Sequence, residues 1–398
     1  MAIDNQAYSW QVLAASAQQP IWVKTSEHLN ECCMKWQQLP LIAIDTEFLR
    51  VETFYPIPGL IQVADDQACY LIDPLEIKDF SELKILFQDT SVLKVMHAST
   101  EDLELFVKMF GGVPEPLFDT QIGAALVNWG FSMGLQRMLE QHLNVQMEKH
   151  ETTSDWLRRP LTQSQERYAA LDVAYLPAIY AMQKELFDQK GTLSWSEQEN
   201  QYLITESMVD DEEGYSYYLR FTQMWRIPEH KLAALRDLTA WREQQARKRD
   251  VPRNRILRNQ ALLQIIERWP CSIAELSQLD EVKKKILRTD GETILSFLKS
   301  SQESAQNNPP LPIPRPLHFF WNTHLKRLKA IARRKAEEYE IAPEILLKRK
   351  ELEALVRSGM DEGLYVLPEK MALWRQELIG HLLLDELDEI EKIRKKGA

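Results

Sequence analysis

LIAIDTE, residues 41–47, sets four apolar residues of strand character against two carboxylates one residue apart, Asp45 and Glu47. Side chains alternate along a strand, so both acids point to one face. Two carboxylates side by side at the end of a buried strand repel each other unless a cation sits between them. A pair of this kind also fits an ordinary solvated strand end, so the rest of the chain has to decide.

The apolar runs GLIQVA (59–64), CYLID (69–73) and VLKVMHA (92–98) have strand length, and 99–110 places Leu103, Leu105, Phe106 and Met109 at helical spacing. Strands alternating with helices predict an α/β domain with a mixed sheet over residues 1–205. Beyond about residue 198 charged amphipathic helices replace the strand pattern, with an acidic, Gly-containing boundary at 210–214. KSSQESAQNNPPLPIPRP (299–316) is polar and then proline-rich, as expected of an extended linker. It divides two helical blocks, 214–298 and 317–398. Displaced by 90 residues, Leu235 falls on Leu325, Leu238 on Leu328, Ala246 on Ala336, Val251 on Ile341, Ile256 on Leu346, Leu262 on Leu352 and Ile265 on Leu355. The run of matches favours a duplicated helical module.

Composition excludes several classes. Apolar stretches fall far short of the roughly 20 residues that span a membrane. The start, MAIDNQAYSWQVLAASAQQP (1–20), lacks the basic-then-apolar order of a secretory signal, so a cytoplasmic protein is expected. Cys32, Cys33, Cys69 and Cys271 have neither zinc nor disulfide-framework spacing. Net charge is −11, yet 226–258 carries +6 and 326–350 carries +5, leaving −22 elsewhere. Basic segments beside an acidic body suit a nucleic-acid partner, although such runs are also common on solvated helix faces.

Three further residues join the pair. Asp102 follows VLKVMHA, where Ser99 could cap a helix with Asp102 three residues on. Tyr168 and Asp172, in ERYAALDVAYL, are four apart and share one helix face. Capping, packing and solvation each explain one of these residues alone; their order and context do more. An acidic pair ending a strand, an Asp opening a helix and Tyr-x3-Asp on a later helix resemble the DEDD exonuclease superfamily in its tyrosine-containing branch. FLRVETFYPIPGLIQVA (48–64), LFDTQIGAAL (117–126), SDWLRRPLT (154–162) and YAALDVAYL (168–176) are similar to the bacterial ribonuclease D family, over about residues 20–200. The helical blocks resemble HRDC modules, the first through WREQQARKRDVPRNRIL (241–257) and the second more weakly.

The resemblance implies a ribonuclease H-like sheet, two divalent cations per site, and Asp45, Glu47, Asp102 and Asp172 as ligands with Tyr168 holding the attacking water. It also implies that Asp45 bridges the cations, that Glu47 and Asp172 serve the one that activates water, and that Asp102 serves the other, partly through water. Hard oxygen donors suit Mg2+ or Mn2+ better than zinc. Phe54, Tyr55 and Gln62 are candidates to contact the terminal nucleotide, with core packing as the alternative. His97 is a candidate phosphate contact or a buried structural histidine. Asp155, Trp156 and Arg158 are expected to support the Tyr168 helix.

The function so implied is a monomeric 3′→5′ exoribonuclease acting on RNA 3′ ends such as those of tRNA precursors, releasing nucleoside 5′-monophosphates. The helical modules would grip the RNA, or the second would pack on the nuclease domain. A DNA 3′→5′ exonuclease and a non-catalytic nucleic-acid binder are the alternatives.

Overall fold

A computed structural model describes residues 9–147, 154–360 and 362–396; the first eight residues of the stretch read above for a leader lie outside them. The chain forms two compact units, one of 1–49, 58–208 and 319–398, the other of 50–57 and 209–318.

The first unit is built on a six-stranded sheet: β1 (Ile21–Val23), β2 (Leu41–Leu49), β3 (Ile57–Ala64), β4 (Cys69–Ile72), β5 (Leu93–Met96) and β6 (Leu117–Asp119), ordered β1-β4-β3-β2-β5-β6. β2, β5 and β6 run parallel, β4 is antiparallel to β3, and β1 is parallel to β4. The sheet is therefore mixed. Leu41, Ile42, Ala43 and Ile44 are all buried, as a central strand covered on both faces requires. Ile42 and Ile44 join a core with Leu103 and Phe106 of the helix Thr100–Phe110. The helices Gln163–Ala174 and Leu176–Lys190 also pack against β2. Among the described residues no helix is long and apolar enough to cross a membrane.

The second helical block does not stand apart. Residues 319–398 fold with the sheet, and Ala342 N–H donates to Ala125 O at 2.7 Å. Trp374 stacks on Trp195 with ring centroids 4.6 Å apart. Its indole donates to Glu199 (3.0 Å), which also meets Lys348 (3.0 Å) and Arg375 (3.1 Å). Arg375 is wholly buried and reaches Glu351 at 2.7 Å.

The other unit is helical, with Leu235, Leu238, Leu262, Ile265 and Leu295 in its core. Residues 299–316 are not extended throughout. Ser301–Asn307 is a helix packed on Glu229–Arg249, where Arg236 donates to Ser304 Oγ at 2.8 Å, and only the proline-rich half, 309–316, is without helix or strand.

The 90-residue displacement reappears in the elements. Glu229–Arg249, Arg253–Ile256 and Asn259–Arg268 are followed by Trp321–Tyr339, Pro343–Leu346 and Arg349–Ser358. Both long helices end on a left-handed residue, Asp250 (φ 45°) and Glu340 (φ 50°). The cap N–H returns to Ala246 O in the first and to Ala336 O in the second.

Candidate active site

Alternation along β2 delivers Asp45 and Glu47 to one face, where Asp172 arrives from the helix Gln163–Ala174. One oxygen from each of the three lies within 4.8 Å of the others. Asp102 reaches the same cleft from the first turn of Thr100–Phe110 and accepts a short hydrogen bond from Thr46 Oγ1. Tyr168, one turn before Asp172, hydrogen-bonds it through its hydroxyl. The five residues line an open cleft of about 430 Å³ with Phe48, His97, Glu101 and Leu135.

The elements that hold these side chains are themselves pinned. Ser99 does not cap the helix of Asp102 with its side chain. Its N–H and hydroxyl donate instead to Asp119 Oδ2 (2.8 and 2.9 Å), while Asp119 Oδ1 accepts from Ala98 N–H (3.0 Å) and Gln121 N–H (2.8 Å). Asp119 thus fixes the turn from β5 to Asp102, in which Ala98 adopts φ 54°. The Tyr168 helix begins with a capping box of Thr162 and Gln165. Ahead of it, Trp156 is buried and Arg159 binds Asp73 twice (2.6 and 2.7 Å) and Gly59 O (2.7 Å). A Cβ at Gly59 would lie 2.8 Å from Trp156 Cβ, so the crossing requires glycine there. Asp155 contributes through Leu157 N–H (3.1 Å); Arg158 is exposed, and Arg159 does the tying expected of it.

Of the candidate nucleotide contacts, His97 lines the cleft. Its Nδ1 lies 2.9 Å from Thr120 Oγ1, whose hydroxyl is also 3.1 Å from Met96 O. Burial pushes the imidazole pKa down, leaving the ring neutral. Gln62 is fully buried in β3, away from the cleft lining. Phe54 belongs to the helical unit, where its ring is 6% exposed with Arg247 and Arg253 at 4.9 and 4.6 Å. Tyr55 packs edge-on against it, and both backbone N–H groups donate to Asp250 (3.0 and 3.1 Å). These contacts cover the Phe54 ring and leave it no open face for a base to stack on.

A family model described as 3′-5′ exonuclease matches residues 20–186, which include all four carboxylates and Tyr168. An HRDC domain model matches 231–298. The chain is 38% identical to ribonuclease D of Pseudomonas paraeruginosa over 92% of its length and 97% of that protein. It is 34% identical to ribonuclease D of Escherichia coli over 92% and 98%. The chain belongs to the ribonuclease D family. The crystal structure of the Escherichia coli ribonuclease D, described as an exoribonuclease involved in structured RNA processing, superposes with a TM-score of 0.86 at 33% identity. That match covers 93% of this chain and 99% of the other.

The carboxylates of this cleft crowd like charge into a buried site. Burial, then the neighbouring Asp102, Asp172 and Glu47 charges, raise the Asp45 pKa well above the usual carboxylate range. Glu47 is pushed up to about 9 by burial and by Asp172 and Asp102. Burial brings Asp172 to about 7 against the opposing Tyr168 hydrogen bond, and Asp102 to about 7 against that of Thr46. The three clustered acids offer only oxygen donors, which fits a hard divalent cation.

Proposed function

We propose that this cleft removes nucleotides singly from the 3′ ends of structured RNA such as tRNA precursors. Asp45, Glu47, Asp102 and Asp172 would hold two divalent cations, magnesium or manganese. Membership of the ribonuclease D family makes the chain a metal-dependent 3′→5′ exoribonuclease.

The observation that carries the residue assignment is the convergence of Asp45, Glu47 and Asp172 within 4.8 Å. These three would hold one cation, and Asp102, together with Asp45, would serve the second. When bound, the cations stabilise charge on the attacking and leaving oxygens of an in-line displacement. Burial and the three neighbouring carboxylates hold the Tyr168 phenol protonated, so its hydroxyl orients the water by hydrogen bonding and does not act as a base. His97, neutral and anchored to Thr120, faces the cleft as a hydrogen-bonding contact for the terminal nucleotide. The test is Asp45→Asn on RNA labelled at its 3′ end. Loss of at least a hundred-fold in rate, with RNA binding retained, supports the assignment; a rate within two-fold of the parent contradicts it.

We read residues 214–298 and 317–398 as two HRDC-like modules around the 299–316 connection; the repeated element positions support this. The basic helices would hold RNA phosphates. The three buried cysteines and exposed Cys271 are free thiols, which suits a reducing cytoplasm.

A further inference from the structure

Beyond the acidic cleft, Phe131 stands 51% exposed on the wall of a second groove of about 430 Å³. The facing wall comes from the second helical block. Lys329 and Arg333 project from Trp321–Tyr339, and Lys348 and Arg349 lie at the start of Arg349–Ser358. A single exposed ring means little by itself; this one faces four cations.

Their charge is only partly answered. Among the described residues Lys329 and Arg333 are exposed and have no ion pair. Arg349 pairs with Glu353 at 2.9 Å, yet its side chain stays 85% exposed, while Lys348 is turned to Glu199. Glu344 is an acid on the lining. The walls are fixed to each other by the Ala342–Ala125 hydrogen bond (2.7 Å) and the Lys190–Glu340 ion pair (2.8 Å).

The groove lies next to the chemistry. Leu135, which lines the acidic cleft, follows Phe131 by four residues. Four residues span at most about 14 Å, or about four nucleotides at the roughly 3.4 Å rise of a stacked strand. The same corner of the first helical module, 90 residues earlier, also lines a basic cleft, with Arg253, Arg255, Arg258 and Lys283 facing Arg50 and Thr53. A basic hollow at the start of the third helix is therefore common to both copies.

We infer that the Phe131 groove holds the single-stranded RNA just upstream of the 3′ terminus, with a base stacked on Phe131 and phosphates neutralised by Lys329, Arg333 and Arg349. Stacking on an aromatic within a basic track is how single strands are held without sequence readout. The inference rests on the exoribonuclease reading of the acidic cleft.

The test uses the full chain and measures two quantities. One is the affinity for a single-stranded RNA twelve-mer in chelator, over a range of salt. The other is the ratio of kcat/KM for the twelve-mer to that for a dinucleotide, with magnesium. Phe131→Ala is expected to lower both affinity and ratio about ten-fold, and Phe131→Tyr to restore them. Lys329→Ser with Arg333→Ser is expected to flatten the salt dependence by roughly 1.4 in log–log slope, at about 0.7 per lost contact. Lys392→Ala, which removes a cation from the helix His381–Lys396, serves as the control and leaves both quantities unchanged. Parental affinity and salt slope in the groove variants would overturn the inference. If the parent chain cleaves no RNA but binds it in a manner that depends on Phe131, the groove stands and the exoribonuclease reading falls.

Discussion

The hydroxyl of Thr46 donates a hydrogen bond to the Asp102 carboxylate, joining the residue between the two acids of β2 to the acid 56 positions later. Thr46 points to the face of β2 opposite Asp45 and Glu47, so β2 presents two ligand candidates on one face and positions a third from the other. The bond also favours the ionised form of Asp102, opposing burial. Thr46→Val keeps the shape and removes the bond. Residues that orient ligands typically contribute 10–100-fold to metal affinity or activity. The magnesium concentration giving half-maximal rate is expected to rise by about that factor, with the maximal rate recovering at high magnesium. A magnesium titration of both proteins checks this.

The acidic cluster sets a pH dependence opposite to that of a salt-bridged carboxylate. Glu47 at about 9 and Asp102 and Asp172 at about 7 bind protons more tightly folded than unfolded, where such groups titrate near 4. Without cations, stability should therefore fall as pH rises from about 5 towards 9. A cation that holds the ionised forms offsets this loss. Thermal unfolding in chelator should show a declining transition temperature over that range. Added magnesium should raise it more at pH 9 than at pH 6.

Arg159 holds the segment before the Tyr168 helix against the sheet through Asp73, whose side chain is inaccessible to solvent. Removing one partner of a buried pair costs about 3–5 kcal/mol. Arg159→Leu should destabilise the nuclease unit by about that amount and lower kcat more than it raises KM, since it displaces Tyr168 without touching RNA. Denaturant unfolding and steady-state kinetics separate the two effects.

Arg375 makes the same kind of contact for the second helical block, buried between Glu199 and Glu351. Arg375→Leu leaves both carboxylates short of a partner and is expected to cost about 3–5 kcal/mol. The stack of buried Trp374 on half-buried Trp195 supplies the readout, because its fluorescence should change in the same transition as the nuclease unit.

What could be read from the sequence follows the range of each interaction. The period-two pattern at 41–47 identifies β2 and the shared face of Asp45 and Glu47, and four-residue spacing pairs Tyr168 with Asp172. The capping role considered for Ser99 fails because Asp119, 20 residues away, occupies its hydroxyl; LFDT at 117–120 contains that residue but no local sign of its target. Phe54 in a polar loop looks like a surface ring, yet Asp250 and Arg247, nearly 200 positions away, fix its backbone and cover its face. Helical periodicity reveals the second block but not the Trp195, Glu199 and Ala125 partners that hold it to the nuclease body. The 90-residue displacement was legible because the second and third helices of the two blocks begin and end 90 residues apart.

The proposed activity is that of an oxygen-ligand metal cleft trimming RNA from its 3′ end. Its most direct test is a time course on a 3′-extended tRNA and a matched DNA strand, with magnesium, manganese or chelator, resolved to single nucleotides. Stepwise shortening of the RNA from its 3′ end, faster than that of the DNA and abolished by chelator, is the predicted result. RNA left intact in the presence of either metal, or shortening that continues in chelator, would contradict it.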